Sequence, residues 1–142
     1  MSLETAARAT SISVAIVDDE ASVRVSLRRL CSAFGLSVTT FASGQEFLES
    51  LEGDGHRPDC LLLDAHMPGM TGLELQRHLG ARGVRFPTVL FTADDTPEVQ
   101  ARYLSAGVVE YLRKPVNAEE LLAAIERAVA LERTAGKRPA GS

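Results

Sequence analysis

The chain has 142 residues, enough for one compact domain with a core of its own, and 45% apolar with 24% charged residues is a globular composition rather than a disordered one. A formal net charge of −4 lacks the positive field that binding to a phosphate backbone requires, so nucleic acid is not expected as a direct partner. No apolar run approaches the ~20 residues of a membrane span, and the small, polar start (Met1 to Ser13) has no secretory pattern, so the expected location is cytoplasmic, with no membrane partner.

In chain order, a first apolar run covers Ile12 to Val17. Val23, Leu27, Leu30 and Phe34 follow it at helical spacing, with Gly35 where that helix should stop. A second run covers Leu36 to Phe41. Ser43 with Glu46 then reads as a capping box opening a helix through Phe47, Leu48 and Leu51. The third run, Cys60 to Leu63, is wholly apolar, and Thr71 with Glu74 repeats the capping pattern before Leu75 and Leu79. The fourth run is Thr88 to Phe91. Thr96 before Pro97 places a capping residue ahead of a proline at the first helical position. The fifth run is Val108 to Leu112, and Asn117 with Glu120 opens a last helix striped by Leu121, Leu122, Ile125, Ala128 and Val129. Cys31 and Cys60 sit inside apolar runs and read as small buried hydrophobes.

Strand and helix alternate five times. The expected fold is α/β, a flavodoxin-like (βα)5 doubly wound parallel sheet in strand order 2-1-3-4-5. The expected organisation is an N-terminal segment over 1–11, one folded unit over 12–133, and a Gly-, Pro- and basic-rich tail or linker start over 134–142.

In such a sheet, ligands bind outside the carboxyl ends of the strands. Asp18, Asp19 and Glu20 follow the first strand, Asp64 the third, Thr92 and Ala93 the fourth, and Lys114 and Pro115 the fifth. Crowded carboxylates repel one another, and a hard cation with oxygen ligands is the natural remedy: Mg2+, with Mn2+ as a substitute. Cation, lysine and hydroxyl around a carboxylate nucleophile are the parts for phosphoryl transfer, with Asp64 forming an acyl phosphate. Taken one at a time, each residue is better read as a cap, a turn or a surface charge. Their joint placement at strand ends of one βα series is what points to chemistry.

These motifs resemble the receiver (CheY-like) domains of response regulators. The resemblance is carried by Ile16-Val17-Asp18-Asp19-Glu20, by the run Leu61 to Leu75 around Asp64, by Leu90-Phe91-Thr92-Ala93-Asp94, and by Gly107 through Tyr111-Leu112-Arg113-Lys114-Pro115. It covers about Ile12 to Leu131 and looks most like the FixJ/NarL group. It implies a two-component response regulator and phosphoprotein rather than an enzyme, one that assists its own phosphorylation and dephosphorylation. Asp64 would accept a phosphoryl group from a histidine kinase or a histidine phosphotransfer protein. Asp18, Asp19, Asp64 and the backbone carbonyl of His66 would hold Mg2+. Lys114, with a cis bond to Pro115, would contact the phosphoryl oxygens, and Thr92 and Tyr111 would switch. The α4-β5-α5 surface, including Val99, Arg102 and Tyr103, would then change and support a phosphorylation-linked homodimer. His66 and Asp94 would flank the path of the hydrolytic water. His56 and His78 are given no role.

Other classes fit less well. An aspartate-nucleophile phosphatase places its nucleophile at the end of strand one with a second Asp two positions on, whereas here the acids are adjacent and position 20 is Glu. A flavin or nucleotide module wants a Gly- or Ser/Thr-rich loop after strand one, and this chain has three acids there. A degenerate receiver serving only as a scaffold does not require the set Asp19, Asp64, Thr92 and Lys114, which is intact.

Overall fold

Strands apolar on every position can be buried only between two layers of helix. The computed structural model describes residues 12–53, 57–93, 96–108 and 110–136, with side chains as far as residue 131. Among these run β1 (Ser13–Val17), α1 (Ala21–Ala33), β2 (Ser37–Phe41), α2 (Gly44–Glu52), β3 (Cys60–Asp64), α3 (Gly72–Ala81), β4 (Thr88–Thr92), α4 (Pro97–Ser105), β5 (Glu110–Arg113) and α5 (Ala118–Gly136). The strands form one parallel sheet in the order β2-β1-β3-β4-β5, the expected doubly wound arrangement. No helix among the described residues is long and apolar enough to cross a membrane.

Alternate residues of each strand feed opposite cores. Val14, Ile16, Leu62, Val89 and Phe91 pack with Leu27 and Cys31 of α1 and Leu121 and Ile125 of α5. Ala15, Val17, Leu61, Leu63 and Leu90 pack on the other face with Phe47 and Leu48 of α2, Leu75 and Leu79 of α3, and Tyr103 of α4. Both cysteines are buried and unpaired, as expected, and burial pushes the Cys31 thiol up to about 12. Residues 1–11 and 137–142 lie outside the described residues, and the last helix runs on to Gly136, three residues into the segment expected as tail.

The caps follow the sequence closely. Thr71 and Glu74 form the full reciprocal capping box. Thr96 accepts the Val99 amide, and Asn117 accepts those of Glu119 and Glu120. Ser43 accepts the Glu46 amide, but Glu46 reaches the amide of Ala42, so that box is half made. β2 and β5 start later than their apolar runs for one shared reason. Leu36 and Val108 are the apolar residues that follow a left-handed glycine at a helix end. Gly35 has φ 82° and Gly107 φ 97°, and the amides of Leu36 and Val108 donate back to the carbonyls of Cys31 and Tyr103. Each apolar run therefore begins with a helix-capping residue, and the strand starts after it.

Gly72 opens α3 against the end of β3. A Cβ there would lie 2.8 Å from the Asp64 carbonyl oxygen and 3.3 Å from the Ala65 Cα. Helix propensity alone favours Ala over Gly by about 0.5–1 kcal/mol, but backbone cannot yield as a side chain can, so the clash should win. Gly72→Ala should lower the stability read from urea midpoints by about 1–3 kcal/mol. Gly80→Ala, with nothing within 4 Å of its Cβ, should raise it by about 0.5–1 kcal/mol.

Candidate functional site

The parallel register brings the carboxyl ends of all five strands to one edge. Val17 lies opposite both Phe41 and Leu63, Asp64 opposite Phe91, and Thr92 opposite Arg113. Asp18, Asp64, Thr92 and Lys114 therefore converge from separate strands. One carboxylate oxygen from each of Asp18, Asp19 and Asp64 lies within 4.8 Å of the others. Asp18 and Asp64 are buried and Asp19 is exposed.

Hydrogen bonds fix the loop that carries Asp18. Its amide donates to the Phe41 carbonyl, its Oδ1 accepts the Glu20 amide at 2.8 Å, and the Arg24 guanidinium donates to its carbonyl at 2.7 Å. Its Oδ2 is buried with no hydrogen-bond partner among the described residues. Asp64 Oδ1 accepts the His66 amide at 3.4 Å and faces Lys114 Nζ at 3.1 Å, while the same ammonium stands 3.9 Å from Asp18 Oδ2. Lys114 is held in place by its amide, which donates to the Thr92 carbonyl at 2.9 Å, and by the Phe91 ring 5.4 Å beneath its Nζ. The Lys114–Pro115 bond is cis.

Burial pushes the Asp18 carboxyl up to about 6; the Glu20 amide opposes the rise and the charge of Asp64 adds to it. Burial likewise raises Asp64, and Lys114 offsets part of the rise. The arrangement suits a hard cation. It offers three carboxylate groups, and on one of them, Asp18, Oδ2 is a buried acceptor without a hydrogen-bond partner among the described residues.

The structure brings Asp18, Asp19, Asp64 and Lys114 together, with Thr92 fully buried on the adjacent strand. The His66 side chain is exposed. His78 is exposed on α3, while His56 and Asp94 lie outside the described residues. Tyr111 is half-buried on β5 and packs against the core beneath α4. One expectation needs correction. Tyr103 does not belong to the outer surface of α4; it is 6% exposed, with its hydroxyl directed inward, while Arg102 is exposed and Val99 half-buried. The four-residue spacing of Val99 and Tyr103 was the available signal, since it puts both on one helix face. Nothing in the sequence marks Arg24 as a partner of the Asp18 carbonyl.

The response regulator receiver domain profile matches residues 14–126. The chain belongs to the response regulator receiver family. Its members are the phosphoacceptor domains of two-component signalling, which histidine kinases phosphorylate and which bind Mg2+ at an acidic pocket. The transcriptional regulatory protein TdiR of Thauera aromatica is 38% identical over 120 residues, covering 84% of this chain and 52% of that protein. The response regulator MprA of Mycobacterium bovis is 42% identical over 113 residues, covering 80% of this chain and 48% of MprA. The receiver thus spans about half the length of these curated relatives. The FixJ-N crystal structure superposes with a TM-score of 0.76 at 34% identity, covering 84% of this receiver and 94% of that chain.

The raised Asp18 pKa sets a sign for pH dependence in metal-free protein. Its folded value, about 6, exceeds the ordinary 3.8, so its contribution to stability is full below pH 4 and is lost as pH rises through 6. Asp18→Asn keeps an oxygen for the Glu20 amide and removes the buried charge. In chelator at pH 7 it should raise stability by roughly 1–2 kcal/mol and flatten the fall between pH 4 and 7. Urea midpoints across that range check both.

Proposed function

We propose that this receiver, spanning about residues 12–133 between flanking segments 1–11 and 134–142, takes a phosphoryl group on Asp64 from a histidine kinase or histidine phosphotransfer protein in the cytoplasm. The observation that carries the reading is the Asp64 carboxylate at the end of the central strand, 3.1 Å from Lys114 Nζ and beside two further carboxylates. A carboxylate oxygen of Asp64 forms the new P–O bond. The P–N bond of the donor phosphohistidine breaks, and its electron pair returns to the imidazole nitrogen. Asp18, Asp19, Asp64 and the His66 carbonyl would hold Mg2+ (or Mn2+), which when bound supplies positive charge to the transferring oxygens and lets the acids coexist. Lys114 stabilises the charge that develops on the phosphoryl oxygens and keeps it after transfer.

Thr92 then supplies a hydroxyl to the acyl phosphate from the neighbouring strand, and Tyr111 follows into the space beneath α4. The surface of α4, β5 and α5 changes in consequence and favours a homodimer. The domain is a switch and turns over no external substrate; water supplies the return step at Asp64.

Acetyl phosphate or phosphoramidate with Mg2+ should add one phosphoryl mass to the protein, and none to Asp64→Asn or in excess chelator. Lys114→Ala should slow the labelling by about a hundredfold. Sedimentation with beryllofluoride and Mg2+ should show a dimer that is absent without them. Full labelling of Asp64→Asn would contradict the acceptor assignment, and an unchanged monomer would contradict the dimer.

A further inference from the structure

The fourth helix is attached to the acceptor loop by one buried side chain. The Tyr103 hydroxyl, on α4, donates to the Ala65 carbonyl at 3.2 Å, and its oxygen accepts the Leu73 amide at 3.2 Å. Ala65 is the residue directly after Asp64, and Leu73 is the second residue of α3. The first amides of a helix have no partner within it. In α3, the Gly72 amide goes to the Ala65 carbonyl, the Leu75 amide to the Thr71 carbonyl, and the Glu74 amide to the Thr71 hydroxyl. The Leu73 amide is satisfied by another helix altogether. Burial raises the Tyr103 pKa, so the hydroxyl keeps its proton and donates.

Apolar packing of the Tyr103 ring has no direction and would let α4 slide. Hydrogen bonds weaken steeply as they lengthen past 3.5 Å. A helix displacement of ~1–2 Å would break both and leave the Leu73 amide without its cap. The hydroxyl therefore converts a soft contact into two discrete positions of α4. It does so in the arrangement where Lys114 is paired with the Asp64 carboxylate. We propose that Tyr103 is a latch: it holds α4 to the acceptor loop while Lys114 grips the carboxylate, and it releases when a phosphoryl group on Asp64 draws Thr92 toward itself and α4 shifts to fill the space Thr92 leaves. Tyr103 is a positioning residue, acting through Ala65 and Leu73. The inference rests on the phosphoacceptor reading and adds a residue that sets how readily the switch turns.

The test uses 15N-labelled protein, wild type and Tyr103→Phe, with Mg2+ and with or without beryllofluoride. The Phe ring preserves the packing, and the thermal midpoint verifies the fold. Without beryllofluoride, the α4 amides (98–105) of Tyr103→Phe should lie part-way along the line joining the two wild-type positions. Labelling by acetyl phosphate should be at least about five-fold faster, the low end of the net weight of the two hydrogen bonds removed. A purely structural role would lower the midpoint without moving those amides along that line. Wild-type α4 positions with an unchanged rate, or displacement off the line, would overturn the latch. Should Tyr103→Phe not fold, hydrogen exchange of the Leu73 amide in wild type decides: faster exchange on adding beryllofluoride supports the latch, and equal or slower exchange overturns it. Wild-type protein that takes up no beryllofluoride would sink the acceptor reading and the latch together, whereas a normal wild-type response with an unaltered variant sinks the latch alone.

Discussion

Asp18 and Asp64 are carboxylates almost without access to water, and the ammonium of Lys114 stands between them, 3.9 Å from one and 3.1 Å from the other. Two charges about 4 Å apart attract by about 4 kcal/mol at an effective dielectric near 20. Withdrawing each ion from water costs several kcal/mol. One lysine therefore does not compensate two buried acids, and Asp18 answers by holding its proton up to about pH 6. Much of the carboxyl edge of the sheet is organised around this residual charge. A cation and a phosphoryl group are the two partners that would relieve it, the first by neutralising the acids and the second by giving Lys114 more oxygens to hold.

The fold holds this unfavourable cluster in place because its backbone is pinned independently of the charges. Parallel pairing fixes the ends of β1, β3 and β4 at one level. Gly72 lets α3 begin against the Asp64 carbonyl, where no larger residue fits. Arg24 grips the Asp18 carbonyl from α1, and Tyr103 grips the Ala65 carbonyl from α4. Two helices on opposite faces of the sheet thus reach the loops that bear the acids. A change at the acids is felt by the helices through these same bonds.

The order of elements was legible because apolar runs, caps and glycines recur with regular spacing, as at Thr71 with Glu74 and at Gly35. The acidic cluster and Lys114 were legible because chemistry at strand ends depends on position along the chain, which the sequence displays directly. Two kinds of information were not. Leu36 and Val108 read as strand residues because a capping residue and a strand residue are both apolar, and only the backbone hydrogen bonds separate them. Tyr103 read as a surface residue because its partners, Ala65 and Leu73, are 38 and 30 residues away, and a hydroxyl on an aromatic ring fits a buried or an exposed place equally well.

The charge imbalance is open to direct measurement by following the side-chain carboxyl 13C resonances of Asp18 and Asp64 against pH, with and without Mg2+. In metal-free protein the Asp18 resonance should titrate near pH 6, and saturating Mg2+ should move its midpoint below the ordinary carboxylate value of 3.8. An Asp18 that titrates near 3.8 without metal, or a midpoint that Mg2+ leaves in place, would contradict the account.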